Sequence, residues 1–399
     1  MNSETSKISH YDYDLPKNFI AQHPTAKRDE SRLLVLYRKD SRIEHKKFYD
    51  IDEFLNCGDV LVLNDTKVIP AKIIGFKTTG GKVEALIIKE VEDGIWEMLL
   101  KSNSKLKENE SLHFENHDVA EGHAGGRIRD ISTFGVTRSD LRLASASLPE
   151  VQHDLKQSTI DRLPYSVEGK IVRRNERGSW IVEFKNGEEF KEVLKTTGNM
   201  PLPPYIKRNL KNNELEILDE ERYQTVYAKK TGAIAAPTAG LHFTESLLRK
   251  ISSKGVKIAY ITLHVGLGTF NPIKDEDFKL HTMHKEYYTV PEDTVNIIKK
   301  ANSLGKKVIA TGTTTCRTLE TIARDGEIKE SAGWTDIFIY PPYKFKLTDS
   351  LITNFHLQRT SLILLVSAFA GRENIIKSYE TAIKHGYRFY SYGDCMLIM

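Results

Sequence analysis

Three histidines follow apparent strands or stand in polar loops of the chain, where a side chain could act on a ligand. They are His242, His264 and His356. Imidazole titrates near neutral pH, so it can exchange a proton with a ligand or hold it by a hydrogen bond. A single histidine of this kind is usually a hydrogen-bonded structural residue. Three placed in this way favour acid–base or ligand-holding work.

The elements that must position two of these histidines can be traced in the surrounding sequence. The apolar run Ile234–Ala236 predicts a short strand before His242, and Thr244 is well placed to cap the amphipathic helix that follows. The apolar run Val256–Leu263 then predicts a buried strand that leads directly into His264. Loops at the carboxyl ends of parallel strands face the same side of a sheet. His242 and His264 are therefore candidates for one site.

A loop rich in threonine is a second candidate for ligand binding. Thr311–Thr315 lies between a predicted strand, Lys307–Ala310, and a predicted helix, Cys316–Ala323. Backbone amides at the start of a helix bind carboxylates and other anions. Plain capping of the helix by Thr313 or Thr314 explains the same pattern equally well.

Charged residues near the N-terminus offer further candidates. Arg28 and Arg32 precede a predicted strand and could clamp an anion bidentately. Taken alone, the charged run around them is better explained as a solvated loop with internal ion pairs. Asp65 lies in an Asn-Asp-Thr cluster at the end of another predicted strand, where it serves as a ribose ligand or as a turn or cap residue.

Several familiar catalytic signatures are absent from the chain. Gly266 and Gly268 lack a third glycine at the spacing of the dinucleotide fingerprint, and there is no P-loop, GxSxG or HExxH motif. His281 and His284, with Glu286, resemble a metal site only weakly. The three cysteines lie far apart, which predicts neither a disulfide framework nor a cysteine-based metal site. No metal site is therefore expected.

Composition limits the class of protein. A chain of 399 residues is too long for one ordinary core, so two domains are expected. With no apolar run long enough to span a membrane, no signal-peptide core and few cysteines, a cytoplasmic location is expected. The net charge of +4 permits a nucleic-acid partner without requiring one.

The hydrophobic pattern of the sequence changes between residues 69 and 205. Short alternating or β-branched runs, with turns such as Asp93-Gly94 and Asn186-Gly187, predict closely spaced antiparallel strands. Without long helices between them, such strands favour a small β-barrel. We therefore predict an α/β catalytic domain at 1–68 and 206–399, interrupted by a β-barrel domain at 69–205.

One segment of the predicted barrel does not fit it. His117–Tyr165 has no sustained hydrophobic period and stands where a hairpin loop is expected. Loops of this length are uncommon unless they are functional or disordered. The cost of closing a loop rises slowly with its length, so the barrel is expected to tolerate this segment as an insertion.

A series of motifs along the chain resembles those of one protein family. They are YDYDLPKNFIAQHP (11–24), LVLNDTKVIPAK (61–72), PTAGLHFT (237–244), LHVGLGTF (263–270), HKEYY (284–288), GTTTCRTLE (312–320), GWTDIFIYPPY (333–343), ITNFHL (352–357), SAFAGREN (367–374) and GYRFYSYGDCMLI (386–398). In these motifs the chain resembles the S-adenosylmethionine:tRNA ribosyltransferase-isomerases of queuosine biosynthesis. The resemblance covers almost the whole chain except His117–Tyr165, which the family's usual barrel domain lacks.

The resemblance implies both a fold and a reaction. The fold is a barrel-like α/β main domain, discontinuous in sequence, with an inserted small antiparallel β-barrel. The reaction transfers and isomerises the ribosyl part of S-adenosylmethionine onto 7-aminomethyl-7-deazaguanine in tRNA, giving epoxyqueuosine-tRNA, adenine and methionine. S-adenosylmethionine is then a substrate, and no metal or redox cofactor is expected. The expected partners are this substrate and tRNA, with no membrane and no obligate protein partner.

That chemistry gives hypothetical roles to the residues named above. Removing a proton beside the sulfonium needs a base, and the departure of adenine is helped by an acid. His264 or His242 is our hypothesis for these roles, with His356 as a third candidate. A sulfonium cation favours carboxylates and aromatic faces, so Asp65 or Asp394 is expected to hold the sulfonium or the ribose.

The other expected substrate contacts are of three kinds. They are rings that stack on adenine or the deazaguanine, guanidinium groups for the methionine carboxylate or a tRNA phosphate, and loop residues that approach the ligand closely. The stacking rings are Phe243, Tyr387 and Tyr392, and the guanidinium groups are those of Arg28, Arg32 and Arg388. The loop residues are Thr238, Gly240, Gly266, Gly268, Thr269 and Asn354.

Two other classes of protein remain open on the sequence. The chain could be a tRNA-binding protein without activity, its barrel altered by the insertion, although its His, Gly and Asp motifs are intact. It could also be a nucleoside or sulfonium enzyme without an RNA partner. Steep salt dependence of tRNA binding would argue against the second class.

Overall fold

The chain forms two compact units. The computed structural model describes residues 6–115, 166–175, 178–208, 213–266, 272–324 and 326–399. Unit 1 comprises Met1–Ile69 with Leu202–Met399, and unit 2 comprises Pro70–Pro201. The segment His117–Tyr165 lies outside the described residues.

The strands are numbered β1 to β17 and the α-helices α1 to α7 in chain order. The strands are β1 (Arg32–Tyr37), β2 (Arg42–Lys47), β3 (Val60–Asn64), β4 (Thr66–Val68), β5 (Lys72–Lys77), β6 (Lys82–Glu92), β7 (Ile95–Ser102), β8 (Ser111–Glu115), β9 (Ser166–Arg174), β10 (Trp180–Phe184), β11 (Lys230–Ala233), β12 (Lys257–Leu263), β13 (Glu286–Val290), β14 (Val308–Thr311), β15 (Ser331–Thr335), β16 (Ser350–Asn354) and β17 (Cys395–Ile398). The helices are α1 (Gly187–Thr197), α2 (Asn213–Arg222), α3 (Glu245–Ser253), α4 (Glu292–Ser303), α5 (Thr313–Ile322), α6 (Ser361–Ala370) and α7 (Arg372–Lys384). Short 3₁₀ helices occur at Ile8–Tyr11, Lys17–Phe19, Arg28–Glu30, Phe48–Phe54, Thr238–His242 and Phe278–Leu280.

A large mixed sheet organises unit 1. Its nine strands run in the order β15-β13-β12-β3-β14-β16-β17-β1-β2. Strand β3 pairs in parallel with β12 and β14, so that Leu61 lies opposite Ile258 on one side and Ile309 on the other. Every residue of β3 is buried, which explains its continuous apolar run, because a strand inside a parallel sheet is covered on both faces.

Apolar clusters pack against both faces of this sheet. Val60 and Val62 belong to one cluster, with side chains from α4 to α7, whereas Leu61 and Leu63 belong to the other, with side chains from α3. The alternation follows from the two-residue period of a strand. The main sheet is therefore covered by helices on both faces.

The predicted start of helix α3 is confirmed. The side chain of Thr244 accepts a hydrogen bond from the backbone nitrogen of Leu247 at 3.2 Å, which is an N-cap contact. Strand β12 follows and ends at Leu263, so His264 is the first residue beyond it, as expected.

Unit 2 contains a closed barrel with the strand order β10-β7-β6-β5-β8-β9. All its pairings are antiparallel, and the side chain of Phe190 on α1 stacks on Phe184 with ring centroids 3.8 Å apart. Strands β8 and β9 pair with Glu115 opposite Ser166, so the segment between them connects neighbouring strands. The predicted fold class, α/β with an inserted antiparallel β-barrel, is confirmed.

The two ends of unit 2 are joined by backbone hydrogen bonds. The nitrogen of Lys72 donates to the oxygen of Asn199 at 3.1 Å, and the nitrogen of Asn199 donates to the oxygen of Lys72 at 2.7 Å. In unit 1, β4 and β11 form a small parallel pair with Thr66 opposite Lys230. The chain thus leaves unit 1 after one of two paired strands and returns to it before the other.

One local prediction was wrong. The strand expected at Ile234–Ala236 lies earlier, because β11 ends at Ala233. Strand β15 ends at Thr335, and beyond it the carbonyl of Ile337 accepts a hydrogen bond from the side chain of Arg317. The last strand, β17, begins at Cys395, after the aromatic residues 387–392.

Across the described ranges, no helix combines the length and the apolar character needed to cross a membrane.

Candidate active site

A narrow cavity in unit 1 lies where strands β14 and β16 end. These two strands are parallel neighbours, so the loops after them meet at one edge of the sheet. The cavity is about 40 Å³. It is lined by Tyr205, Ala236, Pro237, Thr238, Ala239, Val265, Gly312, Thr313, Thr314, Thr353, Asn354, Phe355, His356, Leu357, Leu362, Tyr390 and Ser391.

Helix α5 presents its N-terminus to this cavity. Gly312 is the N-cap residue, with φ +89°, and in the described part of the chain no side chain caps the helix. The first backbone bond of the helix runs from the nitrogen of Cys316 to the oxygen of Gly312. Capping by Thr313 or Thr314, one explanation of the sequence, is not what the structure contains. The amides of the first turn and the positive end of the helix dipole lie at the cavity wall.

Asn354 is the second polar group of the cavity. Its amide nitrogen donates to the carbonyl oxygen of Tyr390 at 3.2 Å and lies 3.3 Å from Nε2 of His242. Because a carbonyl only accepts, this contact fixes which end of the amide is nitrogen. Its other end, Oδ1, is buried and has no hydrogen-bond partner within the described structure. Asn354 therefore offers an unused acceptor in the cavity wall.

Tyr390 has an unusual backbone at this site. Its φ is +70°, in a region that bulky side chains rarely occupy and that costs about 1–3 kcal/mol. Its nitrogen donates to the carbonyl of Phe355, and its own carbonyl receives the bond from Asn354. No sequence pattern pointed to Tyr390 as a site residue.

His356 is the one of the three candidate histidines that lines the cavity. Its Nε2 lies 2.7 Å from Oγ1 of Thr353, and its backbone nitrogen donates to the hydroxyl of Tyr379 at 2.9 Å. Burial lowers the pKa of His356 to about 3. The ring is therefore neutral at pH 7, and it can hold a ligand without adding a charge.

His242 supports the cavity from behind. Its Nδ1 lies 2.8 Å from Oγ of Ser31, its Nε2 faces the amide of Asn354, and its ring packs on Phe48. Burial, and then the charges of Arg388 and Arg28, lower its pKa to about 3. With both ring nitrogens engaged by protein groups, His242 holds Asn354 in place and does not line the cavity.

His264 lies outside the cavity lining, although its neighbour Val265 is part of it. Its Nδ1 lies 2.8 Å from Oγ1 of Thr66, and the ring is half-buried. Burial lowers the pKa of His264, and the charge of Asp65 opposes this shift. His242 and His264 contact different residues, and neither lines the cavity, so a site shared by the two stays a prediction.

Aromatic rings continue outward from His264. Its ring stacks with Tyr287 at 6.4 Å between centroids, and Tyr287 meets Trp334 edge to face at 5.5 Å. Tyr287 and Trp334 are opposite each other on β13 and β15, and they are 37% and 62% exposed. We call Tyr287 and Trp334 the aromatic edge.

Arg28 and Tyr392 line a smaller second cavity, of about 20 Å³, together with His242. Arg28 donates to the carbonyls of Leu241 and Glu221, and burial, followed by the charge of a neighbouring arginine, lowers its pKa. The hydroxyl of Tyr392 donates to Asp219. These groups are therefore engaged by protein atoms.

Asp394 joins the start of strand β1 to the loop before strand β17. It accepts hydrogen bonds from the backbone nitrogens of Arg32 and Arg388 at 3.0 and 2.8 Å. The guanidinium of Arg32 lies over the ring of Tyr387, whose hydroxyl contacts Nδ1 of His45. None of these residues lines the cavity beside Asn354.

Two expected contacts are packing residues. Phe243 is 0% exposed and belongs to the apolar cluster around Leu61, so no face of its ring is available for stacking. Gly240 lies under Tyr227, whose hydroxyl would be 2.1 Å from an added β-carbon. Asp65, a third expected contact, is engaged by a protein group: its Oδ1 accepts a hydrogen bond from Oγ1 of Thr262 at 2.6 Å.

The loop after His264 is anchored at its first residues. The nitrogen of Gly266 donates to Glu286 at 3.0 Å, and Glu286 forms a buried ion pair with Arg317 of α5. Gly268 and Thr269 lie outside the described residues. Within the described ranges, no group of three His, Cys, Asp or Glu side chains is arranged to hold a metal ion.

Comparison with known proteins agrees with this architecture. The chain matches the family model described as "Queuosine biosynthesis protein" over residues 8–398. The protein therefore belongs to the queuosine biosynthesis protein family, which confirms the family predicted from its motifs. One similar solved structure is the crystal structure of an S-adenosylmethionine tRNA ribosyltransferase from Thermotoga maritima. It is 34% identical, the alignment covers 98% of this chain and 100% of that one, and the TM-score is 0.50.

Proposed function

We propose that this protein is an S-adenosylmethionine-dependent tRNA ribosyltransferase-isomerase. It transfers and isomerises the ribosyl part of S-adenosylmethionine onto 7-aminomethyl-7-deazaguanine in tRNA, and epoxyqueuosine-tRNA, adenine and methionine are formed. The observation that carries the proposal is the 34% identity to the named ribosyltransferase over essentially the full length of both chains. The reaction is redox-neutral overall, so no redox cofactor is assigned to it, and we place it in the cytoplasm.

His264 is assigned as the base that removes a proton beside the sulfonium. Burial lowers its pKa, so the ring is neutral and able to accept a proton at neutral pH. We assign Nδ1 as the donor to Oγ1 of Thr66, which leaves Nε2 free of hydrogen and able to accept the proton. The negative charge of Asp65 favours the imidazolium that results.

The aromatic edge is assigned to the tRNA. Exposed rings beside a reacting group provide a surface on which an unpaired base can stack, and such stacking is worth about 1–3 kcal/mol per base. Tyr287 connects Trp334 to the ring of His264. A nucleobase stacked here would bring the neighbouring nucleotide of the anticodon loop close to His264, the proposed general base.

The experiment is one incubation of the protein with S-adenosylmethionine and tRNA bearing the aminomethyl-deazaguanine. Mass spectrometry follows free adenine and the nucleosides of the digested tRNA, and tRNA with unmodified guanine is the control. We expect adenine and an epoxyqueuosine nucleoside to form together, only with the modified tRNA. Adenine release that is the same with modified and with unmodified tRNA would point to another acceptor. The absence of both products would overturn the proposal.

Binding measurements separate the remaining alternatives. Affinity for tRNA is expected to fall steeply with salt concentration, because phosphate contacts release counterions. A shallow dependence would favour a small-molecule enzyme without an RNA partner, whereas binding without turnover would indicate a protein that only binds tRNA.

A further inference from the structure

We infer that the cavity between helix α5 and Asn354 binds the amino-acid end of S-adenosylmethionine, with its carboxylate at the amides of α5 and its ammonium group at Oδ1 of Asn354. This inference rests on the proposed function, and it adds which end of the substrate enters the cavity and which groups recognise it.

The first argument comes from the N-terminus of α5. Gly312, Thr313 and Thr314 line the cavity, and in the described structure no side chain caps the helix. A carboxylate is the natural partner of such amides, because it accepts their hydrogen bonds and is stabilised by the helix dipole. The hydroxyls of Thr315 and Thr318 bond back to the carbonyls of Thr311 and Thr314, and Oγ1 of Thr314 accepts from Nδ2 of Asn64 at 3.5 Å.

The second argument is independent of the helix. Asn354 is 2% exposed, and its Oδ1 has no partner among the described residues. A buried acceptor left without a donor is costly, so a ligand that donates a hydrogen bond there is favoured. The amide cannot turn away, because its nitrogen is held by the carbonyl of Tyr390 and by His242.

The two groups together recognise a zwitterion. The helix end favours a negative group and Oδ1 favours a donor, and these are the two polar groups on the α-carbon of methionine. The adenine base has no anionic group for the helix end. Among the described residues, the side chains that line the cavity include no Asp, Glu, Lys or Arg, so its preference is set by the end of α5 and by uncharged polar side chains such as Asn354.

The size of the cavity agrees with an amino-acid end. A cavity needs roughly 10–15 Å³ on this measure for each water-sized group. At about 40 Å³ the cavity holds about three such groups. That suits a carboxylate with an ammonium group better than a fused bicyclic base.

Arg28 is the competing site for the carboxylate. Its guanidinium already donates to two backbone carbonyls, those of Leu241 and Glu221. It lines the second cavity, and it is not among the described residues that line the cavity beside Asn354. The carboxylate is therefore assigned to α5.

The test removes one amide and one ligand group at a time. Thr313→Pro deletes the first amide of α5 where proline is well tolerated, because the first helical position suits it and Gly312 before it lies outside the α region, with ψ 153°. Thr313→Val keeps the amide and removes the hydroxyl, so comparing the two variants isolates the amide. The probes are S-adenosylmethionine, its decarboxylated form, and its analogue without the amino group, each measured by titration calorimetry without tRNA.

We expect the wild-type protein to bind S-adenosylmethionine roughly 10-fold or more tightly than either truncated probe, since hydrogen bonds to charged groups are strong. Thr313→Pro should weaken S-adenosylmethionine binding and leave the decarboxylated probe unaffected, so that discrimination between these two probes shrinks. Thr313→Val should keep that discrimination. Thermal unfolding of both variants checks that they are folded.

The inference would be overturned by equal binding of the three probes to the wild-type protein, or by equal weakening of both carboxylate-bearing and decarboxylated probes in Thr313→Pro. Loss of discrimination in Arg28→Lys but not in Thr313→Pro would move the carboxylate to the second cavity. Product formation by the wild-type protein is measured separately. If it succeeds while the probes fail to discriminate, only the inference is wrong; if it fails, the proposed function is wrong.

Discussion

The imidazole of His264 lies directly against the α-carbon of Gly232. A β-carbon at position 232 would stand 2.8 Å from Cε1 of the ring and 3.0 Å from both ring nitrogens. Gly232 also has φ +149°, which side chains rarely adopt. The ring can occupy its observed position only because residue 232 is glycine.

Gly232→Ala is therefore expected to displace His264 and lower turnover by roughly 100-fold, the contribution typical of a positioned general base. Steady-state kinetics measures this, and binding of S-adenosylmethionine is measured alongside. Gly305→Ala is the control, because Gly305 has φ +64° and no atom within 4 Å of an added β-carbon. Equal turnover in the two variants would show that His264 does not act as the general base.

The pH dependence of turnover tests the same residue. Because the pKa of His264 is lowered below its ordinary value of about 6.5, the neutral base persists down to that pH. We expect kcat/KM to be level from pH 8 to about 6.5 on account of this group and to fall only in more acid solution. In His264→Asn this acid limb should disappear, and the rate should fall about 10²–10⁴-fold. An unchanged acid limb in the variant would assign it to another group.

Acid sensitivity of the fold is expected from His242 and His356. Each has a folded pKa of about 3, whereas the unfolded value is about 6.5. Between these values the unfolded chain binds a proton that the folded chain does not, so stability falls as pH falls from about 6.5 towards 3. The loss is about 1.4 kcal/mol per pH unit for each group.

Urea unfolding at pH 7 and at pH 5.5 measures this loss. In His356→Gln the difference between the two pH values should be smaller by roughly 1 kcal/mol. A difference equal to that of the wild-type protein would show that His356 is not buried in the neutral form.

Trp334→Ala should weaken the use of tRNA and not the use of S-adenosylmethionine. Loss of one stacked base costs about 1–3 kcal/mol, so KM for tRNA should rise roughly 5- to 150-fold. Leu304→Ala is the matched control, because Leu304 and Trp334 are both 62% exposed and Leu304 lies beyond the end of α4. If the two variants use tRNA equally well, the aromatic edge is not a tRNA contact.

Phe243 is expected to matter for stability. Phe243→Ala should cost about 3–5 kcal/mol in the free energy of unfolding, because it leaves a cavity beside Phe48 in the apolar cluster. Phe243→Leu should recover much of that loss and bind S-adenosylmethionine like the wild-type protein. Reduced affinity in a stable Phe243→Leu variant would restore the stacking role expected from the sequence.

Local signals were enough to predict much of the fold. Thr244 caps its helix and His264 follows its strand because both depend on neighbours within a few residues. The alternation and turns of residues 69–205 similarly predicted a barrel, since strand pairing between neighbours is encoded locally. The family motifs identified the reaction class, which periodicity alone did not.

The candidate site was harder to predict because its contacts join distant residues. The acceptor on Asn354 is left unused only because Tyr390 and His242 hold its nitrogen, and neither contact has a sequence signature. Asp394 similarly looked like a ligand group, yet it accepts from the backbone nitrogens of Arg32 and Arg388. Polar side chains that hold a loop together and those that hold a ligand are of the same residue types.

The hydrogen bonds between Lys72 and Asn199 also bear on how such a protein can evolve. They bring the first and last residues of unit 2 together, so this unit is a sequence insertion whose two ends are neighbours. Its junctions with unit 1 fall after Ile69 and before Leu202, within three residues of Lys72 and Asn199. Gains, losses or replacements within unit 2 can therefore arise while the strand register of the nine-stranded sheet stays the same.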